Sequence, residues 1–379
     1  MKLDILSAGA AQGIASRIAL EAGVELAGTF GAVGGILERF LAGEACDAVI
    51  LTHAQIAKLT AEGRVAPVPC SDLGVVRTSV AVRRGDARPD VSTPQALRAA
   101  LLAADAIFFP DPQKATAGIH VAKVLAALGI EAQVAGRLRP HPNGMTAMRA
   151  MGESAGHPIG CTQATEIVAT PGVELVAPMP REHELATVYT AAVGANARQP
   201  EAARAFVERM CGPASAAARA EAGYEGIAIR RATGADTAPA RRVVYGVLAE
   251  YGLHPEPAGT DADLNDLGTA YLAAGGGFDV AIAPDGSIAG CCGLKPMADG
   301  AVELRKMYLR ADARGQGVGR RLLERAIARA RSLHFTRIEL ETASVLKEAI
   351  ALYRQSGFVA KPGKPNTCRC DQAYTLELA

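Results

Sequence analysis

Short apolar runs broken by small and polar residues organise the first half of the chain. Residues 3–6, 26–30 and 48–51 read as buried strands. The first two pass through the small-residue turns SAGAAQG (7–13) and GAVGG (31–35) into segments with apolar positions at helical spacing. These are Ile14, Ile18 and Ala19, then Ile36, Leu37, Phe40 and Leu41. Repeated strand-helix units of this kind predict an α/β fold with a parallel sheet, whose ligand crevice lies at the carboxyl ends of the strands.

Further along, residues 75–82, 106–109, 158–161 and 185–193 read as strands. Helices are expected from Pro94, over 121–128, over 144–152 and, amphipathically, over 200–210. An Ala- and Gly-rich stretch at 212–226 marks a junction, dividing the chain into domains at 1–225 and 226–379. Beyond it the pattern changes. Residues 227–233 predict a strand, 237–252 a helix, and 277–294 a hairpin turning at Asp285-Gly286.

The stretch VELRKMYLRADARGQGVGRRLLERAIARAR (302–331) carries the densest chemical signal. Its first eight residues alternate as a strand, with Val302, Leu304 and Tyr308 on one face and Glu303, Arg305, Met307 and Leu309 on the other. After a polar spacer, Gly315, Gly317 and Gly319 leave backbone N–H groups uncovered, and Leu322, Leu323, Ala326, Ile327 and Ala330 then recur as a helix face. A glycine loop opening a helix offers free amides and the positive end of the helix dipole, which suits a diphosphate, with Arg314 and Arg320 as countercharge.

A nucleotide P-loop would close its glycines with Lys-Ser/Thr, whereas Arg320-Arg321 stand here. A dinucleotide turn fits better, because a strand at 337–340 with Glu339 and Glu341 follows at a suitable distance for a ribose contact. Its glycines, however, run G-x-G-x-G and stand apart from the strand. Arg-x-x-Gly-x-Gly after LRKMYL, followed by RIELETA, a helix over 347–355 containing Leu352-Tyr353, and Ser356-Gly357-Phe358, resembles the acetyl-CoA motif of the GNAT acyltransferase superfamily.

That resemblance spans 226–379 and implies an α+β domain with a mixed, splayed sheet, acetyl-CoA as co-substrate and a primary amine as acceptor. Pantetheine would lie along Met307, Tyr308 and Leu309, and the diphosphate on Arg314, Gly315, Gln316, Gly317, Val318, Gly319 and Arg320. Glu303 would accept the amine proton, or else pair with Arg305. Tyr353 would protonate the departing thiolate, or else serve as a core aromatic. Leu346 stands where the family often has Asn, and Tyr308 and Tyr374 are further polar candidates.

The first 225 residues resemble type II periplasmic binding proteins, in particular the molybdate-binding branch. The matching stretches are SAGAAQG, FGAVGG, DPQKATAG (111–118) and PEAARAF (200–206). The resemblance implies two lobes, at about 1–80 with 186–225 and at 81–185, with a small ligand between them. Ser7, Thr29, Thr116, Thr162 and Gln163, at strand ends, are the cleft candidates, and a turn-capping role is the alternative for the hydroxyls. Ala10 and Val33 stand where oxyanion-binding serines are expected, which argues against molybdate.

Composition adds exclusions. With 379 residues, 49% hydrophobic content and a net charge of +1, two or three cored domains are expected and no basic nucleic-acid surface. The absence of Trp and a 4% aromatic content argue against base-stacking platforms. No apolar stretch is long enough for a membrane span, Asp4 interrupts any signal-like start, and a cytoplasmic protein is expected. None of the eight cysteines has metal-ligand spacing with a nearby His, so no metal is assigned. The chain therefore reads as an N-acetyltransferase fused to a small-ligand-binding domain. The alternative is a ligand sensor whose second domain binds acetyl-CoA without catalysis.

Overall fold

The computed structural model describes residues 2–378, without the side chains of 67–69. It divides into two units. One runs up to Ile56 and resumes over Asp72–Gly226, and the other joins Ala57–Ser71 to the residues from Ile227 onward.

In the first unit the elements follow as β1 (Lys2–Ala8), α1 (Gln12–Ala22), β2 (Glu25–Gly31), α2 (Val33–Leu41), β3 (Ala48–Thr52), α3 (His53–Ala61) and β4 (Val65–Arg83), of which the end of α3 and the start of β4, residues 57–71, group with the second unit. Then come α4 (Pro94–Ala103), β5 (Ile107–Pro110), α5 (Thr116–Ala127), α6 (Glu131–Val134), β6 (Leu138–His141), α7 (Gly144–Gly152), β7 (Ile159–Gln163) and α8 (Ala164–Val168). β8 (Val173–Pro178), β9 (Ala186–Gly194), α9 (Pro200–Cys211) and α10 (Ala216–Glu221) complete it.

β1 pairs in parallel with β2 and β3, as the strand-helix repeats predict, while β9 returns antiparallel to β3. β5 pairs in parallel with β6 and β7, and β4 runs antiparallel to β7 and β8. The strand order is β2-β1-β3-β9-β4-β7-β5-β6, with β8 on β4. Each parallel strand leads into a helix at its carboxyl end, so the N-termini of α2, α5 and α7 and the turn before α1 gather around one small space.

The second unit contains β10 (Ala228–Arg231), α11 (Thr237–Glu250), β11 (Gly277–Ile282), β12 (Ile288–Pro296), β13 (Ala301–Leu309), α12 (Val318–Ser332), β14 (Arg337–Thr342), α13 (Lys347–Gln355), β15 (Val359–Ala360) and β16 (Gln372–Glu377). Its sheet runs β10-β11-β12-β13-β14-β16-β15. One apolar cluster, with Leu322, Leu323, Ala326 and Tyr353, covers one side. Another, with Val244, Leu248, Tyr271 and Phe278, covers the other. The only parallel pairing described in this sheet joins β13 to β14, and it lasts only from Ala301↔Arg337 to Glu303↔Glu339, after which the two strands part.

One expectation for β13 is corrected. Strict alternation placed Tyr308 with Val302 and Leu304, yet Tyr308 packs into the α11 cluster while Met307 and Leu309 pack with Val302 and Leu304. The cause is a bulge. Pairing with β12 shifts register between Cys291 and Gly293, and Lys306 opposite takes φ of 55°. One extra residue reverses which face every later side chain occupies. Arg305 and Lys306, although consecutive, both reach Asp263.

Candidate functional site

The bulge and the parting of β13 from β14 build the site in the second unit. Asp261, fully buried, accepts two hydrogen bonds from Arg369 at 2.7 Å and one from Lys306 Nζ at 2.5 Å. Asp263 meets Arg305 at 3.2 Å and accepts from the Tyr271 hydroxyl at 2.6 Å. Two acids against three cations, all largely buried, pin the bulge in place, because breaking any one pairing would strand a charge.

Two adjoining cavities flank this clamp and share Glu303, Arg305, Thr260, Glu341 and Thr367 in their walls. The larger, about 400 Å³, also presents Glu256, Glu339 and Cys368. The smaller, about 50 Å³, is walled by Met307, Tyr308, Leu346, Tyr353 and Cys370. Glu339 is committed to Arg337 and Lys361, and Glu341 accepts the backbone N–H groups of Asn366 and Thr367.

Glu303 instead meets a single cation, Arg305, at 3.3 Å. Burial raises its carboxyl above the ordinary range against the opposing pull of Arg305, and the nearby Glu341 charge adds to the rise. Tyr353 is buried and packs against Phe358 at 5.8 Å, and burial raises its phenol, so it keeps its proton across the neutral range. Tyr308 is pushed up to about 12 for the same reason. Burial pushes the Cys370 thiol up to about 11, and among the described residues the cysteines form no disulfide. Tyr374 lies outside both cavities, bonded to Arg354 and Gln372.

The glycine loop leads from β13 into α12. Gly315 (φ 73°) and Gly317 (φ 72°) are left-handed, and a Cβ at either would meet nothing within 4 Å, so their outer faces are open. Gly317 is the N-cap and no side chain caps the first turn. The amides of Val318, Gly319 and Arg320 are therefore presented outward at the positive end of the helix, a fit for the diphosphate of coenzyme A. Leu346, the N-cap of α13, likewise offers no side-chain cap.

Arg314 does not supply free countercharge as expected. Its guanidinium grips Glu250 at 2.5 and 2.8 Å and the Leu309 carbonyl, and it lies over the Tyr251 ring, so its charge is already met. Its role is to tie the loop to the end of β13. Arg320 is exposed and, among the described residues, holds a 3.4 Å bond to Gln355 and no acidic partner, so its charge is available to the loop.

In the first unit a partly open pocket of about 20 Å³ lies among the helix N-termini. Of the sequence candidates, Thr116 and Gln163 line it, and Ser7, Thr29 and Thr162 do not. Ser7 turns its hydroxyl to the Ala8 carbonyl, and Thr162 donates to Glu166 at 2.5 Å. Thr29 sits within β2, short of the strand end at Gly31. Ala10 and Val33 are in the wall, so methyl groups face the space where hydroxyls would bind an oxyanion.

Asn143, Glu166 and Tyr189 line the cavity too and were not among the candidates. Asn143 caps α7, and Gly144 is required beside it, since a Cβ there would fall 1.9 Å from Glu166 Oε2. Among the described residues no group of three or more His, Cys, Asp or Glu is placed to hold a metal ion. No single helix among them is long and apolar enough to cross a membrane.

Comparison with known proteins matches both halves. The model of the bacterial extracellular solute-binding protein family fits residues 7–225, and that of the GNAT acetyltransferase family fits 245–358. The uncharacterized N-acetyltransferase YjgM of Escherichia coli K12 is 38% identical over 135 residues, 34% of this chain and 80% of that protein. The aconitate isomerase of a Pseudomonas species is 28% identical over 192 residues, 50% of this chain and 71% of that protein. The periplasmic molybdate-binding protein of Azotobacter vinelandii superposes with a TM-score of 0.48 at 18% identity, over 59% of this chain and 98% of its own. The chain belongs to the bacterial extracellular solute-binding protein family through its N-terminal residues and to the GNAT acetyltransferases through its C-terminal ones.

Proposed function

We propose that the GNAT unit transfers an acetyl group from acetyl-CoA to the nitrogen of a primary amine, with Glu303 as the base and Tyr353 as the acid. The observation that carries this reading is the position of Glu303, in the wall shared by both cavities, with burial raising its carboxyl above the ordinary range. The larger cavity is the acceptor side, because its four glutamates outnumber Arg305, Lys361 and Lys364 in the lining and so favour an amine that arrives as a cation. Only the neutral amine has a lone pair to attack a thioester, so a base at the boundary of the two cavities is where the proton must go. Acetyl-CoA supplies the acyl group from the smaller cavity. The open amides after Gly317 hold its diphosphate, and the unpaired edge of β13 beyond Glu303 receives its pantetheine. Tyr353, in the wall of that cavity with its phenol protonated, donates to the departing sulfur.

For the solute-binding unit we propose a small carboxylic acid related to aconitate as ligand. The likeness to aconitate isomerase supports this, as do the converging helix N-termini, which favour an anion. The lack of a disulfide among the described cysteines fits a reducing cytoplasm, where we place the protein.

The test is release of coenzyme A from acetyl-CoA across a panel of primary amines, with the protein's own thiols blanked. Turnover with at least one amine is the expected result. Tight acetyl-CoA binding with no turnover on any amine would refute it and leave a sensor.

A further inference from the structure

The solute cavity contains an acid of its own. Glu166, 5% exposed, projects into the space at the N-terminus of α7, where Gly144 and Gly9 lack the side chains that would exclude it. The Thr162 hydroxyl and the amides of Gly144, Met145 and Gln163 hydrogen-bond to it. Among the described residues no lysine, arginine or histidine is paired with it.

The titratable groups facing it from neighbouring elements are two phenols, Tyr189 on β9 and Tyr224 after α10. Arg219, which acts on Tyr224, is spent on the carbonyls of Met210 and Gly212. Beside Glu166, the Gln163 amide is 2% exposed and lines the cavity; it lies against the Tyr189 hydroxyl, yet neither its oxygen nor its nitrogen reaches good hydrogen-bond geometry with any group. A buried amide left unsatisfied in a cavity ringed by helix N-termini marks a place for a ligand with polar atoms.

An anionic ligand seated against Gln163 in this partly open pocket comes beside the Glu166 carboxylate, and among the described residues lining it there is no lysine, arginine or histidine. Two carboxylates in one buried site do not both stay ionised, and the pair takes up a proton. Glu166 is the group positioned to receive it, and in that form its O–H becomes a donor to the incoming carboxylate.

We propose that the solute-binding unit takes up its carboxylate ligand together with one proton, which Glu166 carries. This rests on the carboxylic-acid reading given above. It makes the cleft selective for acids and its occupancy dependent on pH. Burial already raises the Glu166 carboxyl in the free protein, so little further perturbation is needed for it to hold the proton when the ligand arrives.

The experiment is calorimetric titration of the full chain with trans-aconitate between about pH 7.5 and pH 9, where the ligand's carboxyls are ionised, in buffers of different ionisation enthalpy. Uptake of close to one proton is expected once the pH exceeds the free-state value of Glu166. Affinity should then fall about tenfold per pH unit. Glu166→Gln, which mimics the protonated acid in shape and charge, should bind at least as tightly as wild type at the alkaline end, with a flat pH profile. Binding of trans-aconitate with no proton uptake in the wild-type protein, or with the same pH profile in Glu166→Gln, overturns proton coupling and leaves the carboxylic-acid reading standing. No binding of trans-aconitate at any pH overturns both. The wild-type proton count decides the matter even if the variant folds poorly.

Discussion

Replacing Glu303 by Gln separates a base from a structural carboxylate. The pairing it would lose, Arg305 at 3.3 Å with the Glu303 side chain 23% exposed, belongs to the class of partly exposed ion pairs that contribute about 0–1 kcal/mol. Arg305 keeps Asp263 and Thr260, and a neutral amide at position 303 is cheaper to bury than a charge, so the melting temperature should hardly change. Removing a positioned base should instead lower kcat/KM by about 10²- to 10⁴-fold, or roughly 3–5 kcal/mol of transition-state stabilisation. The pH dependence follows in sign. The base works deprotonated, and burial holds its carboxyl above the ordinary range. Wild-type kcat/KM should therefore fall as pH drops through a value above that of a free glutamate, and the variant should lack this acid limb. Steady-state acetyl transfer measured across pH, beside thermal denaturation, provides both readouts. A variant that keeps wild-type kcat/KM and its acid limb, or one that simply melts early, would refute the reasoning.

Other outcomes can be stated briefly. Tyr353→Phe keeps the packing on Phe358 and should lower kcat about 10²-fold with acetyl-CoA affinity unchanged, as read by turnover and calorimetry. Gly317→Ala places a Cβ on a left-handed residue, at a cost of about 1–2 kcal/mol, which should lower the melting temperature and raise KM for acetyl-CoA up to about tenfold. Asp261→Ala leaves Lys306 and Arg369 buried without their shared acid and should cost about 3–5 kcal/mol in chemical denaturation. Burial raises the Asp261 carboxyl, but Arg369, the Glu256 amide and Lys306 outweigh it and hold the group below the ordinary range. Its contribution should therefore be intact above about pH 4 and vanish on further acidification in the wild type, while the variant lacks that acid-sensitive part.

Much of this architecture is legible along the chain because it is locally encoded. The period of the strand-helix units, the glycines opening α12 and the turn at Asp285-Gly286 each follow from a few neighbouring residues, and α7 and α13 form over the expected positions. The bulge at Lys306 was not legible, since strict alternation offers no sign of one extra residue until the β12 partner is known. The commitment of Arg314 to Glu250 joins residues far apart in sequence, as does the grouping of Ala57–Ser71 with the C-terminal unit, where Arg325 donates to the Cys70 carbonyl. The cleft was read from hydroxyls at strand ends, and two of these are satisfied within a few residues of themselves. Glu166 escaped because a glutamate in TQATE becomes distinctive only when the α7 N-terminus is brought against it.

The central claim is that uncapped amides after Gly317 hold the diphosphate of the acyl donor. A crystal structure of the protein soaked with coenzyme A tests it most directly. The account requires the diphosphate on the backbone of 315–320 and the pantetheine along β13 where it leaves β14, with the sulfur toward Tyr353. Coenzyme A bound on another surface, or no binding at saturating concentration, would contradict it.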